Sequence, residues 1–238
     1  MRGVKILMCS VLWLGAAIAL IFGQSAPFAQ TLAPQDKGQI PAIGQISYGE
    51  KTDGAICTGT LVAPDIVLTA GHCVAVDGVA MAASSIKFAA GKNGPSSAAV
   101  RYGREIILMT SPEGEYFRMR YDLALVKLAE PIEADIALPV PLTLKDAISD
   151  SYSFIGYRRD ARDLAGRTDD CRLVNQRGRV LGLTCAVTSG NSGSPLLAEN
   201  DGIWQLAGVI VSQGTGKGDI QSYAVMLDED FRARIKAP

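Results

Sequence analysis

The fold of this chain is decided by residues 57–73, which read Cys57-Thr58-Gly59-Thr60-Leu61-Val62-Ala63-Pro64-Asp65-Ile66-Val67-Leu68-Thr69-Ala70-Gly71-His72-Cys73. Two runs of strand length, 58–62 and 66–69, flank a turn signal made of alanine, proline and aspartate. Short apolar runs separated by turn residues continue almost to the C-terminus, with no long helical pattern between them. This alternation predicts an all-β sandwich or barrel.

Outward from this stretch, other runs of the same kind predict strands at 86–90, 105–110, 123–128, 153–157, 195–198, 203–212 and 223–227. Residues 131–143 hold three prolines and no clear period, which predicts the connection between two halves of the chain. Residues 158–170 mix arginines with aspartates and predict a solvated surface loop, with the rim of a substrate site as the alternative. Residues 228–236 predict a short helix capped by Asp228.

The composition excludes several classes of protein. Of the 238 residues, 48% are hydrophobic and 20% are charged, which is typical of a globular chain and not of a disordered one. The 23 basic and 24 acidic residues nearly cancel, so no overall positive field attracts nucleic acid. One histidine in the whole chain excludes most zinc sites. We therefore expect no metal and no cofactor.

The N-terminus has the pattern of a secretory signal peptide. Arg2 and Lys5 precede an uncharged apolar run over residues 6–22, and small residues follow it. We predict a signal peptide over residues 1–29, cleaved after Ser25 or Ala29, and a leader or short pro-segment over residues 30–39. The alternative is an uncleaved membrane anchor, for which the run is slightly short. The prediction implies a secreted or periplasmic protein without a stable membrane span after signal removal.

The cysteine count agrees with export. Removal of the signal peptide takes Cys9 with it and leaves four cysteines, Cys57, Cys73, Cys171 and Cys185. An even number in an exported chain indicates two disulfides, for which the sequence alone allows three connectivities. The two short-range pairs each close a loop of about 15 residues, for which chain entropy gives roughly 3 kcal/mol of stabilisation.

Three positions far apart in the sequence carry the residue types of nucleophilic catalysis. His72 follows an apolar strand, Asp122 opens another, and Ser192 lies in the glycine-flanked segment 190–195. A serine hydroxyl is a poor nucleophile unless a neutral imidazole takes its proton and a carboxylate orients that imidazole. These residues supply the three groups in the order His, Asp, Ser.

Together, the segments 57–62, 69–73, 122–125 and 190–195 resemble a trypsin/chymotrypsin-like serine protease. The bacterial branch that includes glutamyl endopeptidases is the most similar, because it shares the sequence Gly-Asn-Ser-Gly-Ser-Pro at the nucleophile. The resemblance implies two six-stranded antiparallel β-barrels with the active site between them, the first over residues 40–136 and the second over residues 142–238 with a short C-terminal helix.

The resemblance also implies roles for individual residues. The N–H groups of Gly190 and Ser192 would form the oxyanion hole, and Cys57 would pair with Cys73. Spacing then leaves Cys171 to pair with Cys185. The implied substrate-binding residues are Ala186 at the pocket floor and Val187, Val211, Ser212, Gln213 and Gly214 along its wall, with Ser212 also contacting Asp122.

Three departures from the family pattern limit which properties of the family can be expected of this chain. Ala186 is not an acid, which argues against cleavage after lysine or arginine, and Val211 replaces the histidine of glutamyl-specific relatives. We expect a preference for small or medium apolar side chains. Asn191 replaces the aspartate that pairs with a buried N-terminal amine in trypsin-like zymogens, so we expect hydrogen bonds from Asn191 to hold the oxyanion loop instead.

The function predicted from the sequence is an exported serine endopeptidase that acts on protein or peptide substrates through an acyl-enzyme, as a monomer and without nucleic acid. The alternative is a catalytically silent, protease-like binding protein, which fluorophosphonate labelling of Ser192 would distinguish. An esterase of the α/β-hydrolase fold is disfavoured, because its triad runs Ser, Asp, His.

Overall fold

The structure is a computed structural model, and it describes residues 30–31, 40–49, 54–109, 119–143, 149–200, 202–216 and 218–236. The predicted signal peptide and most of the predicted leader lie outside the described residues. In the described part of the chain, no helix is long and apolar enough to cross a bilayer.

The described elements are strands, short turns of 3₁₀ helix and one α-helix. The strands are β1 (Gln30–Thr31), β2 (Ile43–Tyr48), β3 (Ile56–Ala63), β4 (Ile66–Thr69), β5 (Ala75–Val76), β6 (Val79–Ala80), β7 (Ile86–Ala90), β8 (Ala99–Leu108), β9 (Ala124–Leu128), β10 (Ser151–Arg158), β11 (Ala161–Arg177), β12 (Val180–Leu183), β13 (Pro195–Asn200), β14 (Ile203–Gln213) and β15 (Ser222–Met226). The helix α1 spans Glu229–Lys236.

The first half of the chain forms a closed barrel in the strand order β2-β3-β4-β9-β8-β7. Its interior is filled by side chains that are at most 1% exposed, among them Ile46, Leu68 and Phe88. Gly59 shows how closely the strands pack, because a Cβ at that position would lie 2.7 Å from atoms of both Ile46 and Val67. The barrel is therefore a solid core without room for a ligand.

The second half forms an antiparallel sheet in the order β11-β10-β13-β14-β15-β12, and β12 pairs back onto β11, so these six strands form a ring. The short strand β1 adds to β11 outside the ring. Tyr152, Phe154 and Leu196 are buried inside this half. A separate apolar cluster, which includes Ile155, Tyr157 and Val209, extends across the boundary into the first barrel. The prediction of a chymotrypsin-like pair of six-stranded antiparallel barrels is confirmed.

The prediction of a solvated loop over residues 158–170 is wrong, because most of that stretch belongs to β11. Ala165 and Thr168 face inward and are 1% and 4% exposed, although the intervening positions are polar. Two of the charges pair with each other, since Arg167 Nε donates to Asp169 Oδ1 at 2.6 Å, and Ser153 Oγ donates to the same oxygen at 2.6 Å. Charged residues thus occupy a strand that has neighbours on both edges.

The predicted C-terminal helix is confirmed, with its start one residue later than expected. Asp228 caps it, since the Phe231 N–H donates to Asp228 Oδ1 at 2.8 Å. Phe231 and Ile235 lie on the same helix face and are 0% and 5% exposed. The helix therefore closes the end of the core that crosses the two halves.

Both disulfides are short-range. Cys57 bonds to Cys73 with a sequence separation of 16, and Cys171 bonds to Cys185 with a separation of 14. The first links β3 to the turn that carries His72, and the second links the middle of β11 to the segment that leaves β12.

Because the two loops have almost equal length, we predict nearly equal losses of stability when either bridge is removed. The double variants Cys57→Ala/Cys73→Ala and Cys171→Ala/Cys185→Ala should each lower the free energy of unfolding by about 3 kcal/mol, as chain entropy gives for such loops. Urea denaturation followed by tryptophan fluorescence measures both. An unchanged midpoint in either variant would show that this bridge does not restrict the unfolded chain.

Candidate active site

His72 lies in a single 3₁₀ turn, Gly71–Cys73, that directly follows β4. The neighbouring Cys73 is held by its disulfide and by a hydrogen bond from its N–H to the Ala70 carbonyl at 3.1 Å. A Cβ at Gly71 would lie 3.1 Å from Asp122 Oδ1, a tight contact that shows how closely the turn approaches the carboxylate. The turn thus presses the histidine backbone against the carboxylate of Asp122.

Asp122 contacts His72 at two points. The His72 N–H donates to Asp122 Oδ1 at 2.8 Å, and His72 Nδ1 lies 2.7 Å from Asp122 Oδ2. Since an ionised carboxylate only accepts hydrogen bonds, Nδ1 must carry a proton, and Nε2 is left as the acceptor of the neutral ring. The Asp122 side chain is 14% exposed and that of His72 is 35% exposed, so the outer edge of the ring faces the solvent.

Ser192 lies in the loop between β12 and β13, where two glycines permit the backbone path. Gly190 has a φ of 101° and Gly193 a φ of 85°, both in the left-handed region that favours glycine. A Cβ at Gly193 would lie 2.0 Å from the Thr58 carbonyl oxygen, and one at Gly190 would lie 2.8 Å from the Tyr157 carbonyl oxygen. Both positions therefore require glycine for space as well as for conformation.

Thr58 of the first barrel holds this loop in place. Its N–H donates to the Ser192 carbonyl at 2.8 Å, and its Oγ1 donates to the Gly190 carbonyl at 2.9 Å. The same Oγ1 accepts from the Tyr157 N–H at 2.9 Å. Thr58 is fully buried. Sequence reasoning missed this residue, and its only signal was a polar side chain inside an apolar strand beside Cys57.

Asn191 holds the same loop from the side of the second barrel. Its Oδ1 accepts from the Thr188 N–H at 2.9 Å, and its Nδ2 donates to the Tyr157 carbonyl at 3.0 Å. Within the described chain, the N–H groups of Gly190 and Ser192 donate to no other protein group. The N–H groups of Gly190 and Ser192, one on each side of Asn191, are thus available to a developing oxyanion.

His72 and Ser192 line one cleft, together with Gly190, and its cavity volume is about 250 Å³. Within the described chain, no hydrogen bond joins the Ser192 hydroxyl to His72. Such bonds are often long in the unliganded state and shorten when substrate binds. A second pocket of about 220 Å³ lies on the other side of Ser192.

The predicted substrate-binding residues fall into two groups. Val187, Val211, Ser212 and Gln213 line the second pocket, where Thr188, Ser189 and Ile210 join them. Ala186 is exposed, and neither it nor Gly214 belongs to that wall. Among the described residues no hydrogen bond joins Ser212 to Asp122, and Ser212 Oγ donates to the Gln213 carbonyl at 3.1 Å.

The one cluster of possible metal ligands among the described residues consists of Cys57, His72 and Cys73. Its two sulfurs are joined in a disulfide and therefore offer no thiolate to a metal. The arrangement serves the placement of the histidine and not the binding of an ion.

Comparison with known proteins agrees with this geometry. The family model described as Trypsin matches residues 31–230. The chain belongs to the trypsin family. It is a serine endopeptidase, and the match includes His72, Asp122 and Ser192 within its limits.

Solved structures of serine proteases share the fold of this trypsin-family enzyme. A Glu endopeptidase in complex with MPD is 20% identical, with a TM-score of 0.71, and the match covers 87% of this chain and 95% of that one. The thermostable serine protease AL20 from an extremophilic microorganism is 20% identical, with a TM-score of 0.66 and coverage of 83% and 96%. The protease Anisep from Arthrobacter nicotinovorans is 19% identical, with a TM-score of 0.64 and coverage of 79% and 91%.

The contacts of Asn191 predict that its loss damages turnover in this trypsin-family enzyme. Asn191→Ala leaves the Thr188 N–H and the Tyr157 carbonyl without their Asn191 partners, and the loss at the buried Tyr157 carbonyl costs about 1–3 kcal/mol. If the loop loses its shape, kcat should fall by about ten- to a hundredfold. Steady-state kinetics with a peptide substrate measures this effect.

Asn175→Ala is the matched control, because Asn175 is an exposed asparagine in the β11–β12 hairpin. It should keep its kcat within about twofold, as expected for surface substitutions. Equal activity of the Asn191→Ala enzyme and the wild type would show that the oxyanion loop does not depend on these hydrogen bonds.

Proposed function

We propose that this enzyme hydrolyses peptide bonds through an acyl-enzyme intermediate, with Ser192 as nucleophile, His72 as general base and acid, and Asp122 as the group that orients His72. The observation that carries the proposal is the two-point contact between His72 and Asp122 on one side of the cleft that Ser192 shares. It fixes the tautomer that leaves Nε2 able to accept the serine proton.

The first half of the reaction forms the acyl-enzyme. Ser192 Oγ attacks the carbonyl carbon of the scissile peptide bond while its proton moves to His72 Nε2. The carbonyl oxygen becomes an oxyanion and accepts hydrogen bonds from the Gly190 and Ser192 N–H groups. When the C–N bond breaks, Nε2 gives its proton to the leaving nitrogen, and an amine departs.

The second half reverses these roles with water. His72 Nε2 takes a proton from a water molecule, whose oxygen attacks the acyl carbon. The C–Oγ bond breaks, Ser192 recovers its proton from Nε2, and the carboxylic acid product leaves. Each turnover therefore consumes one peptide bond and one water molecule and requires no cofactor.

Asp122 contributes by electrostatics and orientation. Both of its oxygens are used, one by the His72 N–H and one by Nδ1, so the ring cannot rotate without losing a short hydrogen bond. The carboxylate also stabilises the imidazolium that forms during each half-reaction. Each backbone donor of the oxyanion hole contributes about 3 kcal/mol in sites of this type.

The pocket beside Ser192 supports a substrate with an uncharged side chain on the acyl side of the cut. Val187 and Val211 contribute apolar wall, while Thr188 and Ser189 contribute hydroxyls and Ser212 a third. No charged residue is among the described residues of that wall. We propose small or medium, uncharged side chains at this position, and cleavage profiling of a peptide library tests this assignment.

Two features of the chain fit an enzyme that acts outside the cytoplasm. The N-terminal pattern of charge and hydropathy and the two disulfides both support export to the periplasm or the medium. We propose a monomeric enzyme that acts on proteins or peptides there.

Ser192 and Ser194 form a matched pair of serines that tests the nucleophile. Ser192→Ala should remove nearly all turnover and all labelling by a fluorophosphonate probe. Ser194→Ala should keep both, because the Ser194 hydroxyl is buried without a hydrogen-bond partner and its removal costs little. Circular dichroism checks that both variants fold.

Two results would contradict the assignment. Equal loss of labelling in both variants would show that the loop, and not Ser192, determines reactivity. A folded wild-type protein that takes no probe would favour the catalytically silent binding protein.

A further inference from the structure

The cleft that His72 shares with Ser192 is also lined by the Cys57–Cys73 disulfide and by Arg159. Ile46, Ile56, Val76 and Met81 make much of the wall apolar. Among the described residues that line this cleft, Arg159 is the only permanently charged one. The mechanism proposed above gives Arg159 no role.

The proton transfer from His72 indicates which part of the substrate enters this cleft. The proton held by His72 has to reach the leaving nitrogen, so the leaving part of the substrate lies on the side where His72 is. His72 lines the cleft that Arg159 also lines, and it does not line the pocket formed by Val187 and Val211. The residues after the cut therefore extend toward Arg159.

The backbone of Arg159 is fixed beside the oxyanion loop. Its N–H donates to the Ser189 carbonyl at 2.8 Å, and a Cβ at Gly190 would lie 2.9 Å from the Arg159 nitrogen. An extended peptide advances by about 3.3–3.6 Å per residue, so a long arginine side chain anchored here reaches the first or second residue after the cut.

The guanidinium of Arg159 is exposed, and no described carboxylate pairs with it. Its neighbour Arg158 differs, because two of its nitrogens bind Asp160 at 3.0 and 2.6 Å. Arg158 is therefore already neutralised, whereas Arg159 presents its charge to the cleft. The two adjacent arginines give a natural pair of test and control.

We propose that Arg159 forms a subsite for a carboxylate on the leaving side of the cut, supplied by an aspartate or glutamate at the first or second residue after it. This inference rests on the proposed function, since it names the substrate class of the same site. Because the pair lies at the surface, the expected preference for glutamate over glutamine in kcat/KM is about two- to fivefold, and salt weakens it.

The experiment uses amidated, internally quenched peptides that share one acyl side and carry Glu, Gln or Lys at the first or second leaving position. The wild type should cleave the Glu peptide about two- to fivefold faster than the Gln peptide and the Lys peptide more slowly than either. Arg159→Gln should bring the Glu-to-Gln ratio within the variant to about one, and Arg159→Glu should invert it. Arg158→Gln should keep the wild-type ratio.

A further peptide separates the two sources of a carboxylate. It carries Gln and ends, without amidation, two residues after the cut. Faster cleavage of this peptide alone, with no response to a Glu side chain, would overturn the assignment to side chains. An unchanged Glu-to-Gln ratio in Arg159→Gln, or an equal loss of preference in Arg158→Gln, would overturn the role of Arg159.

An activated ester with no peptide on its leaving side separates this inference from the proposed function. If the wild type hydrolyses neither the ester nor any peptide, the proposed function fails. If it hydrolyses the ester and the peptides but shows no Glu preference, only the assignment of Arg159 fails.

Discussion

The active site depends on one buried side chain that joins the two barrels. Thr58 belongs to the first barrel, and it binds the Ser192 carbonyl, the Gly190 carbonyl and the Tyr157 N–H of the second. The histidine and the aspartate come from one barrel and the serine from the other. The catalysis proposed for these three residues therefore requires a fixed distance across a boundary that neither barrel determines by itself.

Other contacts across this boundary help to hold the residues of the active site in place. Arg179, in the turn between β11 and β12, donates to the Arg120 carbonyl, stacks 5.6 Å from the ring centre of Tyr121 and pairs with Asp228 at 2.5 Å. Burial lowers the pKa of Arg179, and the charge of Asp228 opposes that effect. Since Arg120 and Tyr121 directly precede Asp122, the second barrel supports the carboxylate of the proposed triad as well as the serine.

Tyr157 adds a further contact across the boundary between the two barrels. Its hydroxyl donates to the Lys92 carbonyl at 3.0 Å, and Lys92 Nζ pairs with Asp163 of β11 at 2.9 Å. Burial raises the pKa of Tyr157, which favours the protonated phenol as the donor in this hydrogen bond. The carbonyl of the same residue accepts from Asn191, which connects this contact to the oxyanion loop.

The sequence predicted those features that short segments encode. His72, Asp122 and Ser192 each lie beside a local turn or strand signal, and strands such as β4 and β7 have apolar runs. β2 and β11 escaped prediction because polar residues and glycine interrupt them, and their strand state depends on partners elsewhere in the chain. Thr58 escaped for the same reason, since its three partners lie 99 to 134 positions away in the sequence. Ala186 and Ser212 were given roles from the sequence that their positions do not match. Their residue types did not reveal the path of the loops around the pocket.

If the Thr58 hydroxyl positions the loop that carries Ser192, kcat should respond differently to Thr58→Val and Thr58→Ser. Valine keeps the shape but leaves the Gly190 carbonyl and the Tyr157 N–H without a partner, each worth about 1–3 kcal/mol when buried. Serine keeps the hydroxyl. We predict that kcat falls by about ten- to a hundredfold in Thr58→Val and by no more than about threefold in Thr58→Ser. Wild-type kcat in a folded Thr58→Val enzyme would contradict it.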